Sequence, residues 1–286
     1  MDFKHYLSYI SREDLLPILP SDTDSTDIPL DEIRVIVKNL IKADKVSANV
    51  LRKIWLKALE GIFFTEFQKA YIFDPTEKFS STNDIKTGIS KGSKKAITEL
   101  GLPFPKFYSS KINENPTHYV IALTFENVDK FEDYLTLPLA KQLIINFFPT
   151  KGLATCWTDT SDEERDQKIK YSGKLFTEIL ENTVEVRVNA LLLRKYSSQE
   201  TINHLTISTP HDIAGFSGID KMEFNGPDVM MGLAGLKRRH DADVEKIVKV
   251  GPFTKIISNV LHLQAGKGLI IKSYEGIDSL HKALKA

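Results

Sequence analysis

Several groupings of residues in this chain have the types and spacing to do chemistry. In Gly88-Ile89-Ser90-Lys91-Gly92-Ser93-Lys94-Lys95, glycines and hydroxyls stand among Lys91, Lys94 and Lys95. A Walker loop needs four residues between its glycines and then Lys followed by Ser or Thr; here three intervene and Ser93 precedes Lys94. A nucleotide triphosphatase is therefore poorly supported, and what remains is a lysine loop whose backbone donors could hold a phosphate near a helix N-terminus. Arg34, Lys38, Arg52 and Lys53 form a second cationic set, and Lys237-Arg238-Arg239 a third. His240-Asp241-Ala242-Asp243 lacks a further histidine or cysteine nearby, so no metal site is expected. Cys156 beside Trp157 reads as a buried structural thiol. No glycine fingerprint of a dinucleotide site follows a strand, and no cofactor is expected.

His204-Leu205-Thr206-Ile207 is a different kind of signal. On a strand, His204 and Thr206 point to the same face and into one cleft. This tetrapeptide resembles half of the signature of the two-histidine phosphoesterases. The resemblance implies a second histidine segment, one ring acting as general base and the other as general acid on a phosphodiester of RNA or a cyclic nucleotide, with hydroxyls holding the phosphate. His118-Tyr119-Val120-Ile121 is the partner segment, with Val120 where that pattern has Ser or Thr.

Net charge narrows the classes. The 286 residues carry 38 basic and 38 acidic side chains, so no uniform field exists to coat nucleic acid or membrane, and any polyanion site must be local. Compensating acids gather in residues 11–32, 126–133 and 159–166. Separated charge of this kind suits a groove for RNA phosphates or contact between copies in a homo-oligomer. The leading expectation is a non-enzymatic binding or assembly protein, of the kind found in viral nucleocapsids or matrices. A metal-independent phosphodiesterase is the alternative. A single cysteine excludes an intrachain disulfide, and no apolar run approaches the roughly 20 residues of a membrane span. A soluble protein of the cytoplasm or another reducing intracellular compartment is expected.

The elements that must position these residues follow from periodicity. Ile33, Val37, Leu40 and Ile41, then Val46, Val50, Ile54, Ala58 and Ile62, predict two amphipathic helices behind an acidic lead-in interrupted by Pro17, Pro20 and Pro29. Residues 1–80 are thus read as an N-terminal helical region, 81–115 as a loop-rich connection with one short helix at 93–100, and 116–286 as an α+β domain with a small antiparallel or mixed sheet. Within that domain, residues 118–125 read as a strand and 128–148 as helix. Ser161 and Glu164 suggest a capping box before a helix from Asp162. Val184 to Leu192 reads as a strand joined through Ser197 to Gln199 to the strand at His204. Residues 228–239 and 253–263 read as helices, Leu269 to Ile271 as a strand, and Ile277 to Leu284 as a terminal helix.

Overall fold

The computed structural model describes residues 6–20, 27–102, 104–125, 142–158, 162–208, 220–237 and 252–285. After a short helical turn over Arg12–Leu15 and Leu16–Ile18, the elements in chain order are α1 (Leu30–Lys42), α2 (Ala48–Thr65), β1 (Lys69–Ile72), α3 (Thr82–Leu100), β2 (Lys106–Asn113), β3 (His118–Thr124), β4 (Gln142–Phe148) and β5 (Leu153–Thr158). There follow α4 (Asp162–Ile179), β6 (Val184–Val186), α5 (Ala190–Ser197), β7 (His204–Ser208), β8 (Lys221–Asn225), α6 (Val229–Lys237), β9 (Phe253–Ile257), β10 (Leu261–Gln264), β11 (Gly268–Ile271) and α7 (Glu275–Lys285). The class is α+β, with antiparallel pairing in every described strand pair. Among the described residues, no helix is long and apolar enough to cross a membrane. The chain divides into two compact units, Met1–Phe63 with Phe73–Thr183, and Phe64–Ile72 with Val184–Ala286.

The first unit is built on a meander, β2-β3-β4-β5, in which each strand pairs with the next. Every residue of β3 is buried, as its run of β-branched and aromatic side chains requires of a strand covered on both faces. One face, carrying Val120, Ala122, Ile144 and Trp157, packs into a core with Ile33 and Val37 of α1 and Ile54, Trp55 and Ala58 of α2. The predicted apolar stripes of the two N-terminal helices are therefore the buried ones. On the other face Ile121, Ile145 and Phe147 meet Ile85 and Ile89 of α3 and Phe176 of α4.

Two readings in this unit need correction. Residues 82–100 form a single helix where composition suggested a loop. Ser81 and Asp84 make a capping box at its start, and Gly101 closes it at φ 66°. Its glycines serve packing: a Cβ on Gly92 would lie 2.6 Å from the Ile179 side chain, and one on Gly88 2.5 Å from the Phe79 ring. Ser93 lies in the same seam, hydrogen-bonded to the Tyr171 hydroxyl at 2.5 Å. The glycine-lysine segment is thus a helix face against α4 and not a phosphate loop. The second correction concerns residues 142–148, a strand where helix was expected. Leu143, Ile144 and Ile145 are all fully buried, and a continuous apolar run carries no period to separate the two states. Residues 128–141 of that expected helix, and the capping residue Ser161, lie outside the described residues.

The second unit holds a five-stranded sheet in the order β11-β10-β9-β7-β8, and a short antiparallel pair, β1 with β6. Leu205, Ile207, Ile256, Leu261 and Leu263 of the sheet are buried, and α5 and α7 pack against β9 and β10 with Leu192, Leu193, Ile277 and Leu280 also buried. Gln68 bridges to Leu269 at the β11 edge. Gly268 permits that approach, because its φ is 118° and a Cβ there would lie 2.3 Å from the Gln68 carbonyl oxygen.

Three expectations fail in this unit. The alternating run from Val184 is a strand only to Val186, because Asn189 accepts the Leu192 N–H at 3.0 Å and starts α5. Ser197 to Gln199 end that helix rather than turn a hairpin, and β7 pairs with β8 and β9 instead. Residues 253–263 contain β9 and part of β10, not a helix. The strands at 204–208 and 269–271 and the helix at 277–284 are as expected.

Candidate nucleic-acid interface

The two histidines of the phosphoesterase resemblance lie in different units and in opposite environments. His118 starts β3 and is fully buried in the first unit. Its Nε2–H donates to Asn146 Oδ1 at 3.0 Å, and its ring packs between Phe63 and Phe148, with centroids 4.9 and 4.2 Å away. Burial pushes its pKa down to about 3, and the bond to Asn146 only partly offsets this. A neutral ring held this way is a core residue, with no route to a surface phosphodiester.

His204 lies on β7, and the sheet register shows what shares its face. Asn225, His204, Ile257, His262 and Ile270 form one row across β8, β7, β9, β10 and β11, and Glu223, Thr206, Lys255 and Gln264 form the next. Residues paired in register project to the same side of the pleat. The opposite side is the buried apolar one, so the sheet is amphipathic, with His204, Lys255, His262 and Gln264 half-buried on the polar face. His204 Nδ1 is hydrogen-bonded to Asn225 Oδ1 at 2.5 Å, and its Nε2 to the Thr206 hydroxyl at 3.0 Å. The expected sharing of a face by His204 and Thr206 is thus a direct contact.

His262 is the residue that the sequence reading missed. Its Nε2 is buried and has no hydrogen-bond partner among the described residues, and its ring meets Phe67 edge-on at 4.7 Å. Lys267 stands 5.8 Å over the other aromatic of that pair, Phe67. Burial first, and then the fields of Lys255, Lys272, His204 and Lys267, lower the His262 pKa to about 4. On the same face Glu223 is bonded to Lys221 at 2.5 Å, and that bond first, with the fields of His204 and Lys255 behind it, holds its carboxyl below the usual range. His262-Leu263-Gln264 repeats the histidine-leucine-polar spacing of His204-Leu205-Thr206. That repeat was the available signal, hidden because 253–263 read as helix.

The cationic residues singled out from sequence are scattered in role. Arg34 donates to the carbonyls of Leu7 and Ser8 at 3.0 and 2.9 Å and pairs with Asp31 at 2.9 Å, so it fastens the N-terminal segment to α1. Lys38, also on α1, is half-buried. Arg52 stacks over the Tyr108 ring at 5.5 Å. Lys53 is exposed one turn along α2 from Lys57. On α3, Lys91 and Lys94 are exposed, and Lys95 is paired with Glu178 at 2.6 Å. Lys237 ends α6, while Arg238, Arg239 and the His240 to Asp243 segment lie outside the described residues. Cys156 is buried and accepts a hydrogen bond from the Ser172 hydroxyl at 3.3 Å, as a structural thiol does. Among the described residues, no cluster of histidine, cysteine or carboxylate is placed to hold a metal ion. No protein-family profile matches the chain, and no curated protein matches it either.

Proposed function

We propose that the chain is a non-enzymatic binding protein for a polyanion, single-stranded RNA, which it takes on the polar face of the five-stranded sheet. The observation that carries this reading is the gathering of Lys255, Lys267 and Lys272 about the Phe67 and His262 ring pair, with Lys267 5.8 Å over Phe67 and Lys255 on the strand beside His262. Phosphates neutralise such a cluster, and the neighbouring Phe67 and His262 rings offer surfaces on which unpaired bases stack. A cytoplasmic, reducing setting suits the free Cys156, and association of copies through acidic segments completes the reading as an assembly protein.

The test is anisotropy of a labelled oligouridylate titrated with the full chain at several salt concentrations. Three lysines engaged with phosphate predict a log-log salt slope of about −2 on single strands. Lys255→Glu and Lys267→Glu should each weaken binding about tenfold and make the slope shallower, with little dependence on base order. Lys91→Glu and Lys94→Glu should leave binding unchanged. If only the α3 reversals weaken binding, the interface lies on that helix instead; if none does and the native chain ignores RNA at low salt, the reading fails. Turnover of a 2′,3′-cyclic phosphate that disappears in His204→Ala would move the protein to the phosphodiesterase class.

A further inference from the structure

The first unit contains a cavity of about 510 Å³ between the N-terminal helical turn at 12–18, α2 and the end of β2. That volume falls within the range of small-molecule sites. Its wall is apolar over Ile10, Ile18, Val50, Ile54, Leu56 and Ile112. The charged side chains at its rim are nearly all engaged. Lys57 bridges Asp14 at 3.8 Å and Glu60 at 3.3 Å, and Lys111 is paired at 2.6 Å with Glu114, which is not part of the lining. Glu13 is bonded by a backbone N–H and by Ser11 at the start of the helical turn. Lys53 is the exception: exposed on α2, it makes no ion pair among the described residues.

We infer that this cavity binds a single-chain amphiphile with one carboxylate head, its hydrocarbon against Ile10, Ile18, Val50, Ile54 and Ile112 and its head at Lys53. One unpaired ammonium beside an apolar wall matches one negative charge on an apolar tail, whereas a dianion would face Asp14, Glu13 and Glu60 with only one cation to spare. Burial of the tail against the apolar wall is the source of affinity, and Lys53 supplies orientation. This inference concerns the first unit alone and stands or falls independently of RNA binding by the second.

Calorimetric titration of the full chain with hexanoate, octanoate, decanoate and decanol tests it. Affinity should rise about fourfold per methylene, the transfer free energy of one buried CH2 group. Lys53→Gln should weaken decanoate several-fold and leave decanol unchanged. Val50→Glu, at a half-buried wall position, should abolish both with an unchanged circular dichroism spectrum; should that variant misfold, perturbation of the Ile18 and Ile112 methyl resonances by decanoate in the native chain locates the ligand instead. Absence of chain-length dependence overturns the inference, as does equal loss of decanoate and decanol in Lys53→Gln. So does failure of all four ligands together with a dimer in sedimentation that Val50→Glu dissociates, since the wall would then be covered by a second copy. Oligouridylate affinity unaltered by saturating decanoate keeps the two sites distinct.

Discussion

The meander of the first unit and the five-stranded sheet of the second both carry histidine on a strand, yet they use it in opposite ways. The meander is clad on both faces, by α1 and α2 on one side and α3 and α4 on the other, so His118 is a fully buried, neutral ring bonded to Asn146. The five-stranded sheet buries one face, and on the other His204 and His262 lie half-buried beside Thr206, Lys255 and Gln264. The same residue type is a core component in one place and part of a charged surface in the other. What decides is the covering of the second face, which depends on elements distant in sequence.

Removing each ring should separate the two roles most sharply. His118→Ala loses the contacts with Phe63 and Phe148 and the bond to Asn146 and leaves a cavity, which together cost about 3 kcal/mol. His204→Ala, at a half-exposed position, should cost under about 1 kcal/mol. Trp55 and Trp157 both belong to the first unit, so tryptophan fluorescence in urea reports that unit selectively, and amide hydrogen exchange can follow the second. A large loss for His204→Ala and a small one for His118→Ala would reverse the assignment of core and surface.

Acid should act on the same contrast. The His118 pKa lies at about 3 in the folded chain against the ordinary 6.5 of a histidine, so below pH 6.5 the unfolded state binds the extra proton and folding loses stability as pH falls towards 3. The slope from this ring approaches about 1.4 kcal/mol per pH unit well below pH 6.5, which amounts to roughly 2 kcal/mol between pH 6.5 and 4.5. His262, lowered to about 4, acts in the same direction over a narrower window and more weakly, being partly open to solvent. Urea midpoints from tryptophan fluorescence should therefore fall less steeply with acid in His118→Phe than in the native chain. Parallel pH profiles for the two would show that the ring titrates normally and is not buried neutral.

How far the sequence was legible follows from the same difference in covering. The stripes of α1 and α2 were readable because each helix buries one face, and the amphipathic period survives in Ile33, Val37 and Ile41. His118 to Phe125 was readable as a strand from its β-branched content. Residues 142–148 were misread because a strand buried on both faces has no alternation to display, and α3 was misread because Gly88, Gly92 and Ser93 resemble loop composition while serving a close helix seam. The pairing of His204 with His262 depends on β9 lying between their strands, a long-range register that neither local segment encodes. Only the repeated histidine-leucine-polar spacing pointed to it.

Two glycines test whether both units depend equally on close backbone approach. At Gly268 a Cβ would meet the Gln68 carbonyl oxygen at 2.3 Å, and the φ of 118° is itself hostile to a side chain. Gly268→Ala should cost about 2–3 kcal/mol and expose the β11 edge to hydrogen exchange. At Gly92 the two closest atoms are methyl groups of Ile179 and Leu175, which yield more readily than a carbonyl, so Gly92→Ala should cost about 1–2 kcal/mol by fluorescence. An equal or larger loss at Gly92 would mean that the α3–α4 seam is less adaptable than side-chain packing implies.

The smallest effect belongs to the α3 lysines, and its smallness is informative. Lys95 pairs with Glu178 at 2.6 Å while its side chain remains 72% exposed, and the Glu178 bond and charge raise its pKa. Solvent screens such a pair, and holding two long side chains in one geometry opposes it. Lys95→Gln should therefore leave the urea midpoint of the first unit unchanged. Combined with Lys91→Gln and Lys94→Gln, it should leave the oligouridylate salt slope unchanged as well, because a lysine not in contact with phosphate releases no counterion on binding. Lys255→Gln should make that slope shallower by about 0.7, the value for one phosphate contact on a single strand. If instead the triple α3 variant flattens the slope and Lys255→Gln does not, the polyanion follows the exposed helix of the first unit, and the cationic field around His262 serves some other anion.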